Sequence, residues 1–294
     1  MITQTGSIYN CNKVAHTGSP SCVFNPKEIV GLIITYGSKR YTASELSTFI
    51  TTMKADIYAS GVERVYPIHN ISNLEASGGD IVTSKGGYGG VRAVKYDSYS
   101  EKYRVDKTGM WFFREVVKFI GGDYRAILLD RNGNAILTKV GDDYAGIALS
   151  DIAPSHNRAN GTDPSLNYVT LYYTDLESAM RDVEAVNIGD AQTVADELQG
   201  LIGVSLVASA GKKINVVDSD SAADYGLVFG SALAVVGAWV GDATITSVTY
   251  SSVDNSYTFV GTSLTKVRLA SASALQALNI TSIEGEETMT TLIA

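Results

Sequence analysis

The sequence predicts a mainly β protein with flanking helices (α+β): a β-sandwich or barrel, followed by a second, smaller mainly-β domain. Three observations predict it. Short runs of β-branched and aromatic residues recur along the chain, separated by Gly, Asn and Asp turns, as sandwiches and barrels require. The composition agrees, with 28 Gly and 17 Tyr but only 18% charged residues, a profile of tight turns and neutral polar surface. Helical periodicity is confined to short capped segments. At 294 residues and 45% hydrophobic content the chain can fill one large or two ordinary cores, and its texture becomes more uniformly β near residue 200. The expected organisation is an arm over 1–27, a sandwich domain over 28–200 and a C-terminal mainly-β domain over 201–294.

Residues 1–27 are rich in Thr, Ser, Asn and Gly without periodicity, the pattern of an arm that orders only against neighbours. Glu28 to Tyr36 is a compact apolar strand. Thr42-Ala43-Ser44-Glu45 is a capping box, and Leu46, Phe49, Ile50, Met53 and Ile57 follow at helical spacing, so one helix is expected over about 43–59, ended by Gly61. Val65–Ile68, Ile81–Thr83 and Val91–Tyr96 are short strands joined by glycine loops. The cluster Gly86-Gly87-Tyr88-Gly89-Gly90 lacks a P-loop Lys-Ser/Thr and the GxGxxG spacing, so it is a turn with one aromatic anchor, Tyr88. Thr108 caps a second helix whose Met110, Phe113, Val117 and Ile120 share a stripe. Trp111 and Phe112 lie off that stripe and need cover, either from a loop or from another subunit. Tyr124–Leu137 reads as a hairpin turning at Asn132-Gly133, both residues tolerating positive φ.

Further on, Pro154 to Pro164 is expected to be a polar loop, Leu166–Tyr173 a strand, Asp175 to Val183 helical, and Gly189 to Gln199 another turn or two of helix. The uncharged run from Gly226 to Val240 spans 15 residues, short of the roughly 20 needed to cross a bilayer, which makes it a buried core element without membrane insertion. A second hairpin turn falls at Asp254-Asn255, and Ser271 to Leu278 is a short helix.

Catalytic and metal-binding patterns are not found. His16, His69 and His156 have no ligand neighbours at helical or hairpin spacing, and Asp142-Asp143 and Asp218-Ser219-Asp220 fall short of an EF-hand set. Cys11 and Cys22 flank His16 but make an incomplete zinc set; a disulfide or two free thiols are the alternatives. No nucleophile elbow, Walker loop or His-Glu-x-x-His occurs, so no enzyme and no cofactor are expected. The net charge of −8 argues against an electrostatic grip on nucleic acid, while leaving room for DNA to pass without being held.

The order of elements then carries a resemblance. A capped helix, the strand Val65-Tyr66-Pro67-Ile68, a glycine-rich loop, a short helix and the hairpin from Asp123 to Ile136 together resemble virion structural proteins of tailed bacteriophages, most nearly tail tube proteins, over roughly residues 28–180. The resemblance implies a sandwich or barrel with a flanking helix, self-assembled into stacked rings around a channel, with the C-terminal part as an added immunoglobulin-like domain on the outside. It implies as partners copies of the chain, other virion proteins and DNA in transit, and a place in the virion after assembly in the host bacterial cytoplasm. Tyr88, Trp111 and Phe112 are the expected assembly contacts. A capsid or head-decoration protein, or an extracellular carbohydrate-binding or adhesin module, would share much of the composition.

Overall fold

The computed structural model describes residues 28–85, 90–106, 111–161, 164–175, 183–219, 221–285 and 288–294. The expected arm with Cys11, His16 and Cys22, the residue Tyr88, and most of the helix expected from Asp175 lie outside them. The chain is mainly β with a few helices and divides between Gln199 and Gly200 into two compact units, each with its own core.

In the first unit the organising strand is β7 (Tyr124–Asp130). One edge pairs antiparallel with β1 (Ile29–Tyr36), whose other edge takes β2 (Tyr66–His69). The opposite edge is shared. Near its end β7 pairs with β8 (Asn134–Val140), which carries the short β9 (Asp143–Ala145) and β12 (Val183–Asn187); near its start it pairs with β10 (Ile147–Asn157), which leads to β11 (Leu166–Tyr173), β6 (Tyr99–Val105) and β3 (Ile71–Gly78). Strands of both branches fill one core, from Leu32 and Ile34 through Leu128 and Ile136 to Val169 and Leu171, which gives the unit its sandwich-like character. The intervening residues Ile33, Ile127 and Leu129 are buried too, outside that core, as are Phe49, Met53 and Leu198 of the helical segments. A sheet covered on both faces explains why β1 and β7 read as unbroken apolar runs.

Several local expectations are corrected. The expected single helix is two, α1 (Ala43–Ser47) and α2 (Phe49–Ile57), broken at Thr48 with φ −117° and ψ 41°. The capping box is present, but three hydroxyls then compete for the backbone: Ser47 donates to the Ser44 carbonyl, and Thr48 and Thr52 both donate to that of Glu45. The Asn132-Gly133 turn has positive φ only at Gly133 (76°), so the loop has three residues, Arg131 to Gly133, between Asp130 and Asn134. The buried Asp130 carboxylate shapes it by accepting from the backbone N–H groups of Asn132 and Asn134 and from the Asn134 side chain. A Cβ at Gly133 would sit 1.5 Å from the Gly189 carbonyl, so only glycine fits.

Pro154 lies within β10, not in a loop. Beyond Ala148 that strand pairs only with β11, so a missing N–H on its other side costs no ladder bond. Val183, at the end of the expected helix, is the first residue of β12. In α3 (Trp111–Val117) the stripe expected to face inward is reversed. Phe112 is partly buried against the core, together with Val116 and Phe119 just beyond the helix, whereas Phe113, Val117 and Ile120 are exposed. The aromatic floor decides this: the Phe119 ring meets Tyr66 and Tyr124 at centroid distances of 4.9 and 5.1 Å, edge to face. The last helix of this unit, α4 (Ala191–Glu197), starts on an Asp190 cap.

The described residues of the second unit form seven strands: β13 (Val204–Ser209), β14 (Lys213–Asp218), β15 (Trp239–Gly241), β16 (Ser247–Ser251), β17 (Ser256–Val260), β18 (Lys266–Leu269) and β19 (Thr290–Thr291). One sheet runs β13-β14-β17-β16 and the other β15-β18-β19, all antiparallel. Lettered A to G in order along the sequence, these are ABED and CFG, the strand order of an immunoglobulin constant-type sandwich. Trp239 on strand C is buried, its ring edge-on to Phe259 at 4.8 Å and tilted on Tyr257 at 5.5 Å, while its Nε1–H donates to the Leu233 carbonyl at 2.7 Å. The run from Gly226 to Val240 corrects an expectation. It forms a short helix α5 (Gly226–Phe229), two 3-10 turns and β15, and it buries Leu233, Ala238 and Trp239 but leaves Leu227 and Val228 exposed. The last helix, α6 (Ala272–Ala277), begins on a Ser271 cap.

Candidate assembly surface

Among the described residues of the first unit, a β-hairpin is a prominent exposed apolar feature. After Gly78 the ladder between β3 and β6 stops, and among the described residues β4 (Ile81–Lys85) and β5 (Val91–Tyr96) pair only with each other. Gly78 and Gly79, both at φ 82°, carry the chain from one ladder to the next, and the Asp97 N–H closes the base on the Asp80 carbonyl at 2.8 Å. A Cβ at Gly78 would lie 1.7 Å from the Ser98 carbonyl oxygen. Gly78→Ala should therefore cost about 2 kcal/mol through strain and backbone displacement, and hydrogen exchange of the Ile81–Tyr96 amides should accelerate relative to those of β10 and β11.

The register separates the hairpin's two faces. Ile81 stands opposite Tyr96, Thr83 opposite Ala93 and Lys85 opposite Val91, while Val82 opposes Lys95 and Ser84 opposes Arg92. The first face is apolar toward the base, the second polar and basic, and Val94 is the extra residue of a bulge between them. Ile81, Val91 and Tyr96 are 55%, 59% and 44% exposed, and Val94 is exposed as well. Beside them is a hollow of about 450 Å³ bounded by Ile81, Ala93 to Tyr96 and Asp175. The charge is one-sided: Ile81 to Tyr96 holds Lys85, Arg92 and Lys95 and no acid, +3 in a chain of net −8, so the rest carries −11. Among the described residues none of these three cations forms an ion pair.

The groups with ligand chemistry elsewhere are engaged in local structure. A cleft of about 390 Å³ in the first unit gathers His69, Asp130, Arg131 and Asp190. Asp130 holds the β7–β8 turn, Asp190 caps α4, Arg131 pairs with Glu28 at 2.8 Å, and His69 Nε2 meets the Leu198 carbonyl at 2.6 Å, with burial lowering its pKa and favouring the neutral ring. His156 Nδ1 meets the Asn167 side-chain oxygen at 2.8 Å. Asp218 accepts from the Ser221 N–H and the Tyr225 hydroxyl, both at 2.6 Å. No group of three or more His, Cys, Asp or Glu side chains is placed to hold a metal among the described residues, and no helix there is long and apolar enough to cross a membrane.

Of the expected contacts, Tyr88 lies outside the described residues; Trp111 opens α3; and Phe112 turns partly inward, leaving Phe113 as its exposed neighbour. The apolar face of Ile81, Val91 and Tyr96 was not legible as a surface from the strands alone. The available signal was a strand pair with three cations and no acid, in an acidic chain. No family model matches the sequence, and no curated protein matches it either.

Proposed function

We propose that this chain is a self-assembling structural subunit of a tailed-bacteriophage virion, most nearly a tail tube protein, whose copies join into stacked rings around a channel for DNA. The observation that carries the reading is the β4–β5 hairpin, an apolar and basic element that, among the described residues, pairs only with itself. Such an element is costly in an isolated monomer and productive against a second copy. Two further features support it. β3 and β12 end the strand order of the first unit, and sheet edges of that kind are where neighbouring subunits join a ring strand to strand. The acidic balance suits a wall that DNA passes without binding. In this reading the protein has no cofactor, acts in the virion with other virion proteins and is assembled in the host cytoplasm.

Negative-stain electron microscopy of the purified full-length protein tests the reading, with rings or stacked tubes as the expected result. Ile81→Glu with Val91→Glu should leave a folded protein, because both side chains are solvated, and should abolish the rings. A wild-type protein that stays monomeric at high concentration without rings or tubes overturns the proposal. Shells or capsid-bound decoration would move the protein to the head, and glycan binding by the monomer would make it an adhesin.

A further inference from the structure

The sequence holds two Asn-Gly pairs, Asn132-Gly133 and Asn160-Gly161, and the fold treats them differently. Asparagine is a thermolabile residue, most of all before glycine, whose missing Cβ lets its backbone nitrogen reach the neighbouring side-chain amide. That nitrogen must leave any hydrogen bond it makes, give up its proton and swing toward Cγ. A glycine held by its surroundings therefore reacts only through local opening.

Asn132-Gly133 is held on both sides of the reacting nitrogen. The Asn132 N–H donates to the Asp130 carboxylate at 2.9 Å, the Gly133 N–H donates to the Asp130 carbonyl at 3.1 Å, and the Gly133 carbonyl accepts from the Ile188 N–H at 2.8 Å. Gly133 is also buried, its α-carbon packed against the Gly189 carbonyl. Asn160-Gly161 is the opposite case. It lies in the connection between β10 and β11, beyond their last register pair, Asn157 with Leu166. Residues 158–161 are all exposed, Gly161 has φ 61°, and a Cβ there would meet nothing within 4 Å.

We infer that Asn160 is a site of spontaneous covalent modification, converted in the folded protein to aspartate and isoaspartate with water as co-reactant, while the Asp130 turn preserves Asn132 as the amide. In the first step the Gly161 nitrogen attacks Asn160 Cγ. The N–Cγ bond forms, the Cγ–Nδ2 bond breaks, and the Gly161 amide proton departs with the side-chain nitrogen as ammonia. Water then opens the cyclic imide at either of its two ring C–N bonds, giving aspartate or isoaspartate without any oxidant or reductant. Both products add a negative charge to an already acidic chain, and isoaspartate lengthens the backbone by a methylene. Outside the ladder, Asn160 can absorb both changes. At Asn132 the same changes would place a second carboxylate in the turn built on the buried Asp130 and disturb the bond from Ile188 to Gly133. None of this depends on how copies of the chain assemble.

Peptide mapping by mass spectrometry tests it on the full-length protein, aged in mildly alkaline buffer both folded and unfolded in guanidinium chloride. Conversion of amide to carboxyl is read separately at Asn132 and Asn160. Unfolded, the two pairs should convert at similar rates, since each is then an open Asn-Gly. In the folded protein Asn160 should stay within about tenfold of its unfolded rate, while Asn132 should slow by more than about a hundredfold. Asn160→Gln, at an exposed position, should remove the fast conversion and leave the protein folded by circular dichroism. If folding slows Asn160 by more than about tenfold, the loop holds it and the inference falls. If Asn132 converts in the folded protein as fast as Asn160, the Asp130 turn gives no protection and the inference falls as well.

Discussion

Glu101→Ala is expected to destabilise the first unit by about 3–5 kcal/mol, the sum of several buried polar groups left without partners. Glu101 is a buried carboxylate on β6 that accepts from three tyrosines: Tyr99 at 2.8 Å, Tyr103 at 2.5 Å and Tyr173. Tyr173 is on β11, the neighbouring strand, and its ring stacks on Tyr99 at 5.5 Å, so one charge ties two strands and three rings together. Alanine removes the shared acceptor and strands the two buried phenols, Tyr103 and Tyr173. Glutamine keeps one acceptor oxygen and should cost less, about 1–2 kcal/mol. Urea unfolding followed by tyrosine near-ultraviolet circular dichroism measures both. If Glu101→Ala shifts stability by less than the glutamine variant, the network is not what holds these strands.

The same cluster sets a pH dependence. Burial first, and the Glu101 charge with it, raise the pKa of Tyr99, Tyr103 and Tyr173 in the folded protein. Unfolded tyrosine ionises near pH 10. Below about pH 10 both states keep the phenol protons and the stabilisation is complete; above it the unfolded chain loses protons that the folded one retains, so stability falls as pH rises. The 295 nm absorbance of Tyr103 and Tyr173 should appear together with alkaline unfolding, not before it.

Trp239→Ala is expected to cost the second unit about 3–5 kcal/mol, the usual range for removing a buried large aromatic residue from a core. The indole fills the space between the two sheets against Phe259 and Tyr257, and its N–H satisfies the Leu233 carbonyl, so truncation opens a cavity and strands an acceptor together. Phenylalanine should recover much of the packing without the hydrogen bond. With two tryptophans in the sequence, a Trp111→Phe background leaves Trp239 as the sole fluorescence reporter of this unit's urea transition, against which a Phe259→Ala change can be compared. An alanine variant within about 1 kcal/mol of wild type by circular dichroism would mean that the core collapses around the gap.

Much of the architecture was legible along the chain because it is written locally. The Thr42–Glu45 capping box, the β1 apolar run, the Gly133 turn and the caps at Ser271 and Asp190 are local devices, acting over a few residues by steric rules and short-range hydrogen bonds. The misread parts depend on what lies opposite. The inward face of α3 depends on Tyr66 and Tyr124 supplying a floor for Phe119; Pro154 falls in a stretch of β10 that, among the described residues, has a partner on one side alone; and α2 separates from α1 where hydroxyls find carbonyls.

Sequence by itself determined the class of this protein, its strand-and-turn rhythm and its acidic balance, because backbone preference and charge are properties of the residues themselves. Tertiary structure alone decided which apolar residues stay in water. Ile81, Val91, Leu227 and Val253 have the same hydrophobic character as the buried Ile33 or Leu128. Only the pairing of strands, which exhausts the partners available to a two-stranded hairpin or a loop end, leaves them uncovered.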